Sequence, residues 1–312
     1  MRRIKIGTRA SRLALWQAQF VAAELKKFFP VLEIELVKVR TTGDRILDAP
    51  LAKIGGKGLF TKELETQMAA GAIDLAVHSL KDVPTELPAG FTIAAITRRA
   101  QPFDAFVSNR FKTFDALPTG AIIGTSSLRR AAQILASRPD LQIKNLRGNV
   151  ETRLKKLDAD NFDAVILAAA GLERLGYSAR IGELLTGIIP AAGQGALAIE
   201  TRADDGEIFS LVQKLNDAET CAAIEVEREF LKEVGGSCQI PVGVFAQIDG
   251  DKIKVAALIA STDGKKVIKD TEVAPLENIR GLGKKIAARI LNNGGREILS
   301  EQIFMLTNQP AD

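Results

Sequence analysis

Residues 121–136, AIIGTSSLRRAAQILA, decide the fold class. Ala121 to Gly124 is the short apolar run of a buried strand, and Ser127 to Ala136 reads as helix. The same alternation continues with Gln142 to Leu146 as strand, Val150 to Leu157 as helix and Ala164 to Ala169 as strand, which is the pattern of parallel βαβ units. It is also present upstream. Ile4 to Gly7 reads as a strand. Ser11 caps a helix carrying Leu13, Trp16, Phe20, Leu25 and Phe28 on its apolar side, and Pro30 stops it. Leu32 to Leu36 alternates as a strand, Phe60 to Ala70 is a helix ended by Gly71, and Asp74 to His78 is a buried-type strand.

After about Thr220 the pattern changes. Ala222 to Val234 reads as an amphipathic helix with Ile224, Phe230, Leu231 and Val234 on its apolar side, stopped by Gly235. Val242 to Ile248, Lys252 to Ala260 and Lys265 to Lys269 read as three strands joined at Asp249-Gly250 and Asp263-Gly264, dipeptides favoured in hairpin turns. Ile279, Leu282, Ile286 and Ile290 mark the last long helix, ended by Asn293-Gly294-Gly295. A chain of 312 residues exceeds what one core usually serves. The expected architecture is therefore two α/β domains followed by a smaller α+β domain with a three-stranded antiparallel sheet.

Composition narrows the function. With 42 basic and 38 acidic residues the surface is nearly balanced, so partners follow from local clusters and not from an overall field. One Trp and one Tyr give little stacking surface for single-stranded nucleic acid. No segment reaches the roughly 18 uninterrupted apolar residues of a membrane span, and Met1-Arg2-Arg3-Ile4 enters a strand with no apolar signal core. Two cysteines do not make a disulfide framework or a metal spacing, which fits a reducing, cytoplasmic setting without metal.

Three strand-to-helix junctions carry arginine beside small hydrogen-bonding residues: Gly7-Thr8-Arg9-Ala10-Ser11, Gly124-Thr125-Ser126-Ser127-Leu128-Arg129-Arg130, and Arg147-Gly148-Asn149 with Arg153 one turn later. Helix-start N–H groups, hydroxyls and a guanidinium fork favour carboxylate or phosphate. Helix capping explains any one of them; three together point to a ligand with several negative groups. Lys53 to Lys57 lies in a glycine-rich stretch that lacks the G-x-x-x-x-G-K-[ST] spacing of a nucleotide loop, and it reads as a cleft-covering segment or a surface loop. Lys81 and Asp82 follow a buried-type strand and put an ammonium and a carboxylate at its C-terminal end. In a partly dry cleft that carboxylate holds a developing cation or passes a proton; otherwise the pair is a structural turn. His78, the only histidine, reads as a satisfied core residue. Cys238 sits on a bend, Gly235-Gly236-Ser237-Cys238-Gln239-Ile240-Pro241-Val242-Gly243. There it carries a covalent group, or it is a small buried hydrophobe, the commoner role of an isolated free cysteine.

Glu227-Arg228, Phe230, Val234 and Gly236 to Gly243 resemble the cofactor-attachment signature of the hydroxymethylbilane synthases, also called porphobilinogen deaminases. Similar motifs run along the chain: Gly7 to Ser11 with Leu13 to Gln17, Thr42-Gly43-Asp44, Lys57 to Phe60, His78 to Pro84, Gly124 to Arg130, Arg147 to Asn149, and Pro190 to Gly195. The resemblance implies two lobes like those of periplasmic-type binding proteins, with the chain re-entering the first after Gln194. The expected domains are 1–99 with 195–217, then 100–194, then 218–312. It implies a transferase that condenses four porphobilinogen molecules head to tail, losing ammonia each time, and releases hydroxymethylbilane for haem, chlorophyll or corrin synthesis. The primer would be a dipyrromethane joined by a thioether to Cys238, with Asp82 catalytic. Lys81, Thr125, Ser127, Arg129 and Arg130 would contact cofactor carboxylates; Arg9, Ser11, Gln17, Arg147, Arg153 and Arg174 would contact substrate and the growing pyrrole chain; Lys53, Lys57 and Phe60 would belong to a cleft loop. Arg12 and Ser237 fall at variable positions, and Cys221 matches no functional one. A monomer without nucleic acid or membrane is the family expectation. The rival is a two-lobed soluble binding protein for a small polycarboxylate; Cys238 and the missing signal core argue against it.

Overall fold

The computed structural model describes residues 3–45, 58–235 and 240–307. Its first sheet has the order β2-β1-β3-β10-β4, from β1 (Ile4–Arg9), β2 (Ile34–Val39), β3 (Leu75–Ser79), β4 (Phe91–Ile96) and β10 (Leu197–Arg202). The second has the order β7-β6-β8-β5-β9, from β5 (Asp104–Val107), β6 (Ile122–Gly124), β7 (Gln142–Lys144), β8 (Ala164–Ala168) and β9 (Glu183–Leu185). One plan builds both. A central strand pairs in parallel with two neighbours, β1 with β2 and β3, and β6 with β7 and β8; one reversed strand, β10 or β5, then pairs antiparallel on both its sides and brings in the edge strand β4 or β9. The third sheet, β11 (Val242–Asp249), β12 (Lys252–Ala260) and β13 (Val267–Pro275), is antiparallel throughout. It packs on helices Ala218–Glu233, Leu282–Ile290 and Arg296–Thr307 around a core that includes Phe230, Val244, Val255 and Ile286.

The chain leaves the first sheet after β4 and returns in β10, which lies between β3 and β4. The two connecting segments run close together at Gly195, where φ is +94° and an added Cβ would lie 2.6 Å from the Ala100 carbonyl oxygen. Only glycine fits that backbone and that approach.

Several local expectations change. Helix Arg12–Phe28 buries Ala14, Gln17, Ala18, Val21 and Leu25, whereas Phe28 is 53% exposed. The buried face is made of small residues at helical spacing, which lets the helix sit close to the sheet. Trp16 and Phe20 stack on each other at 5.4 Å, and Phe20 packs against the core as expected. Strands β4, β5, β9 and β10 lie outside the simple βαβ alternation. The third strand of the last sheet runs to Pro275, well past Lys269. Asn293-Gly294-Gly295 breaks the helix as expected, with Gly294 at φ 108°, but a further helix, Arg296–Thr307, follows.

Candidate functional site

The candidate site gathers at the C-terminal ends of β1, β3 and β6, the ligand edge of an open α/β sheet. Each junction is capped. Ser11 Oγ accepts from the Ala14 N–H, Ser127 Oγ from that of Arg130, and Asn149 Oδ1 from that of Thr152. Buried Thr8 donates to the Ala14 carbonyl, and buried Thr125 accepts from the Ser127 N–H. These hydroxyls therefore hold the turns in shape, and the arginines give them their chemistry. Arg9 lies 4.1 Å from the centroid of the Phe60 ring, which rests against Gly43. Gln17 donates to Ser79 Oγ at 2.8 Å, tying the first helix to the end of β3 just before Lys81 and Asp82.

Beneath the second junction lies a residue that sequence reading missed. Asp104, the first residue of β5, is fully buried. Its Oδ1 accepts from Arg130 Nε at 2.9 Å, Arg130 Nη2 at 2.6 Å and Gln194 Nε2 at 2.9 Å, and Arg129 Nη2 lies 2.8 Å from Oδ2. Burial pushes its carboxyl up, yet the Arg129 and Arg130 charges and the bonds from Arg130 and Gln194 overcome this and hold it below the usual range. Arg129 also donates to the Ile189 carbonyl and Arg130 to that of Ile166. Gln194 donates to the Pro102 carbonyl as well, and its Oε1 lies 3.4 Å from Lys81 Nζ. Burial pushes Lys81 down to about 8; Asp82 and Asp104 oppose the shift, and Arg130 and Arg129 add to it. A charged residue opening the apolar run Asp104-Ala105-Phe106-Val107 was the one signal for Asp104 in the sequence.

Further cations line the outer part. Arg153 donates to the Gly148 carbonyl; burial first, then the charges of Arg130 and Arg147, push it down to about 10, against the pull of Asp82. Arg147 is half-buried, and its Nη1 is enclosed without a hydrogen-bond partner. Arg174 donates to the Gly195 carbonyl at 2.7 Å, stands 5.7 Å over the Trp16 ring, and is pushed by burial to about 10. Asp82 closes a short 3-10 turn, Leu80–Asp82, and is exposed rather than partly dry. Its charge acts on Lys81 beside it and on Arg153 of helix Val150–Asp158, and Gln194 bonds both Asp104 of the second sheet and Lys81 after β3, so the two sheet edges meet here. Desolvated cations outnumber carboxylates, and such a surface binds a polycarboxylate.

Cys238, Lys53 and Lys57 lie outside the described residues. Helix Ala218–Glu233, which precedes the cysteine segment, is anchored to both lobes. Buried Glu227 accepts from Arg99, from the Gly193 N–H and from the Ala246 N–H, and Arg228 donates to the Pro84 and Thr85 carbonyls just past Asp82. The helix thus stands one turn from the carboxylate. Cys221 is half-buried, donates to Asn216 Oδ1 and has its thiol pushed up by burial, as suits a packing residue. His78 is buried with Nε2 2.9 Å from Glu200, the satisfied core histidine expected. Among the described residues no cluster of metal-ligating side chains occurs, and no helix is long and apolar enough to cross a membrane.

Residues 4–210 match the family described as "Porphobilinogen deaminase, dipyromethane cofactor binding domain", and residues 221–292 match "Porphobilinogen deaminase, C-terminal domain". A porphobilinogen deaminase from Geotalea uraniireducens is 51% identical over 303 residues, covering 96% of this chain and 95% of that one. The protein of the same name from Geobacter sulfurreducens is 50% identical, with 96% and 95% covered. Among solved structures, the methionine-binding protein MetQ aligns at a TM-score of 0.45 and 14% identity, over 68% of this chain and 89% of that one.

Proposed function

The chain belongs to the porphobilinogen deaminase family, and from that premise we propose how its residues divide the work of a hydroxymethylbilane synthase. The enzyme is a transferase that deaminates four porphobilinogen molecules, joins them head to tail and releases hydroxymethylbilane for tetrapyrrole synthesis. Each porphobilinogen carries an acetate and a propionate, so the growing product gains negative charge at every step. The observation that carries the residue assignment is the excess of desolvated cations at the meeting of the two sheets: Lys81, Arg129, Arg130, Arg147, Arg153 and Arg174.

The cofactor domain is that of dipyrromethane binding. The cation seat fits such a group: Lys81 and Arg129 are charged groups largely removed from water. When bound, dipyrromethane supplies the pyrrole carbon from which the chain is extended. We propose that Cys238 holds it through a thioether, and that Lys81, Thr125, Ser127, Arg129 and Arg130 hold its carboxylates. Arg9, Ser11, Gln17, Arg147, Arg153 and Arg174 then hold incoming substrate and the lengthening chain, with Lys53, Lys57 and Phe60 in the segment that covers them. Asp82 is exposed, where substrate reaches it, while Asp104 is closed off by its arginines. Asp82 therefore accepts the substrate's pyrrole N–H and stabilises positive charge developing as ammonia leaves.

The proposed domains are 1–99 with 195–217, 100–194 and 218–312, a division the three sheets support. The accompanying proposal is a cytoplasmic monomer that acts without metal or nucleic acid. Intact-protein mass tests the attachment: the wild type carries an excess of two pyrrole units, and Cys238→Ser lacks it. Asp82→Ala is expected to keep that excess and to lose turnover by at least about a hundredfold. Normal hydroxymethylbilane output from Asp82→Ala refutes its catalytic role.

A further inference from the structure

We propose that Asp104 is the positioning residue of the cofactor seat: it fixes the forks of Arg129 and Arg130 through direct ion pairs and reaches Lys81 through Gln194. The inference rests on the assignment of those three cations to cofactor carboxylates.

Asp104 and the two arginines are all buried, and Asp104 has no exposed surface. Arg129 and Arg130 are consecutive on the first turn of helix Leu128–Ser137, where their like charges repel and the positive end of the helix dipole adds to the repulsion. Asp104 reaches that turn from β5, 26 residues away in sequence, and contacts both guanidinia. The two pairs differ. Arg130 is gripped by Nε and Nη2 on one oxygen, while Arg129 meets the other oxygen in an ionic contact without hydrogen-bond alignment.

Each guanidinium is also pinned by one carbonyl, that of Ile189 for Arg129 and that of Ile166 for Arg130. A guanidinium has five N–H donors. Side-chain hydrogen bonds among the described residues use three on Arg130 and one on Arg129, so these leave donors for a ligand once orientation is set. Gln194 extends the arrangement by joining Asp104 Oδ1 to Lys81 Nζ through the two ends of one amide.

Charge counting explains why one carboxylate is used. Three cations and one carboxylate leave two positive charges for the ligand's carboxylates to neutralise. A second protein carboxylate would compete for those donors. With none, the paired arginines would be a buried like-charge pair, a costly arrangement that turns the forks apart. Asp104 thus acts on the cofactor through other side chains.

The test uses the full-length enzyme and reads the fraction of chains bearing the two-pyrrole mass excess alongside steady-state kinetics and thermal unfolding. Asp104→Asn keeps the size and removes the charge; it is expected to fold and to lower the loaded fraction at least fivefold. The chains that remain loaded are expected to keep the KM for porphobilinogen within twofold, since the substrate arginines are elsewhere. Asp104→Glu keeps the charge but moves the forks, and is expected to load to an intermediate level. Wild-type loading of Asp104→Asn overturns the proposal, as does full loading with a raised KM. If Asp104→Asn does not fold, Asp104→Glu decides: folded and under-loaded supports positioning, folded and fully loaded overturns it. Arg129→Lys and Arg130→Lys, measured in parallel, separate the two levels. Full loading of both refutes the arginine assignment itself; impaired loading there with normal Asp104→Asn refutes only the role of Asp104.

Discussion

Replacing Glu227 with alanine is expected to uncouple the third sheet from the two lobes. The carboxylate has no exposed surface, and it accepts from Arg99 Nη1 at 2.6 Å, Arg99 Nη2 at 3.3 Å, the Gly193 N–H at 2.7 Å and the Ala246 N–H at 2.8 Å. Those donors come from both crossing segments and from β11, so one side chain joins all three units. The pair is not itself a measure of stability, because desolvation offsets most of its attraction. The cost lies in what alanine leaves behind. Arg99, with a side chain only 11% exposed, loses its counter-charge, worth about 3–5 kcal/mol. Two buried N–H groups lose their acceptor at about 1–3 kcal/mol each. The total, roughly 5–11 kcal/mol, is comparable to the whole stability of a domain. Glu227→Gln keeps an acceptor oxygen and is expected to lose less, about 2–4 kcal/mol. Urea unfolding followed both by the emission of Trp16, in the first lobe, and by far-UV circular dichroism is the assay. Wild type should unfold with coincident transitions, whereas the alanine variant should lose the third unit first, so that the two signals separate. Coincident transitions in Glu227→Ala, with a midpoint equivalent to less than about 1 kcal/mol of change, would refute the reasoning.

Two further outcomes follow from Lys81 and Gly264. Lys81, ordinarily near 10.5, is pushed to about 8 by burial, so the folded chain binds fewer protons than the unfolded one between those values; its contribution to stability rises with pH across that window. Cofactor capture requires the ammonium, so uptake by the apo-enzyme, read by intact mass, should fall as pH passes about 8, and Lys81→Arg should move that limb upward; an unmoved limb excludes Lys81. Gly264 has φ +73°, and an added Cβ would lie 2.5 Å from the Ala132 oxygen and 2.7 Å from the Ala136 nitrogen, both in the helix that carries Arg129 and Arg130. Gly264→Ala should cost at least about 2 kcal/mol and lower cofactor loading, while Gly250→Ala, at the other hairpin with open space around it, should cost about 1 kcal/mol and leave loading intact; equal melting shifts in the two would exclude the contact.

What was legible in the sequence was local. Ser11 caps its helix as expected, capping is the alternative reading of the Ser127 and Asn149 junctions and occurs at both, and the α/β alternation with a late change to an antiparallel meander is present. On the first helix the expected apolar side is right at Leu25 and Phe20, which meet the core, and wrong at Phe28, which is exposed, while buried Ala14, Gln17, Ala18 and Val21 were not distinguished by apolar spacing. Trp16 lies beneath Arg174. The arginines announced themselves by their junctions, but their counter-ion did not. Asp104 and Glu227 meet their partners across 26 and 128 residues, and no periodicity encodes such a pairing. Nor does composition place β10 inside the first sheet.

Those two carboxylates are held by one stretch of backbone. Arg99 donates Nε to the Gln194 carbonyl while its guanidinium grips Glu227; the Gln194 side chain, pointing the other way, holds Asp104 and reaches Lys81. Gly193 gives its N–H to Glu227, and Gly195 gives its carbonyl to Arg174. Three consecutive residues, Gly193-Gln194-Gly195, therefore bond Glu227 of helix Ala218–Glu233, Asp104 beneath the paired arginines, and Arg174, for which we propose substrate contact. A shift of this segment between the lobes cannot move one of these groups without moving the others. On the roles proposed above, this crossover, pinned by a buried carboxylate on each side, would keep the anchor helix and the paired arginines at a fixed spacing as the bound chain lengthens, and the arginines farther out, with Arg147 Nη1 unpartnered among the described residues, would meet the added pyrrole units.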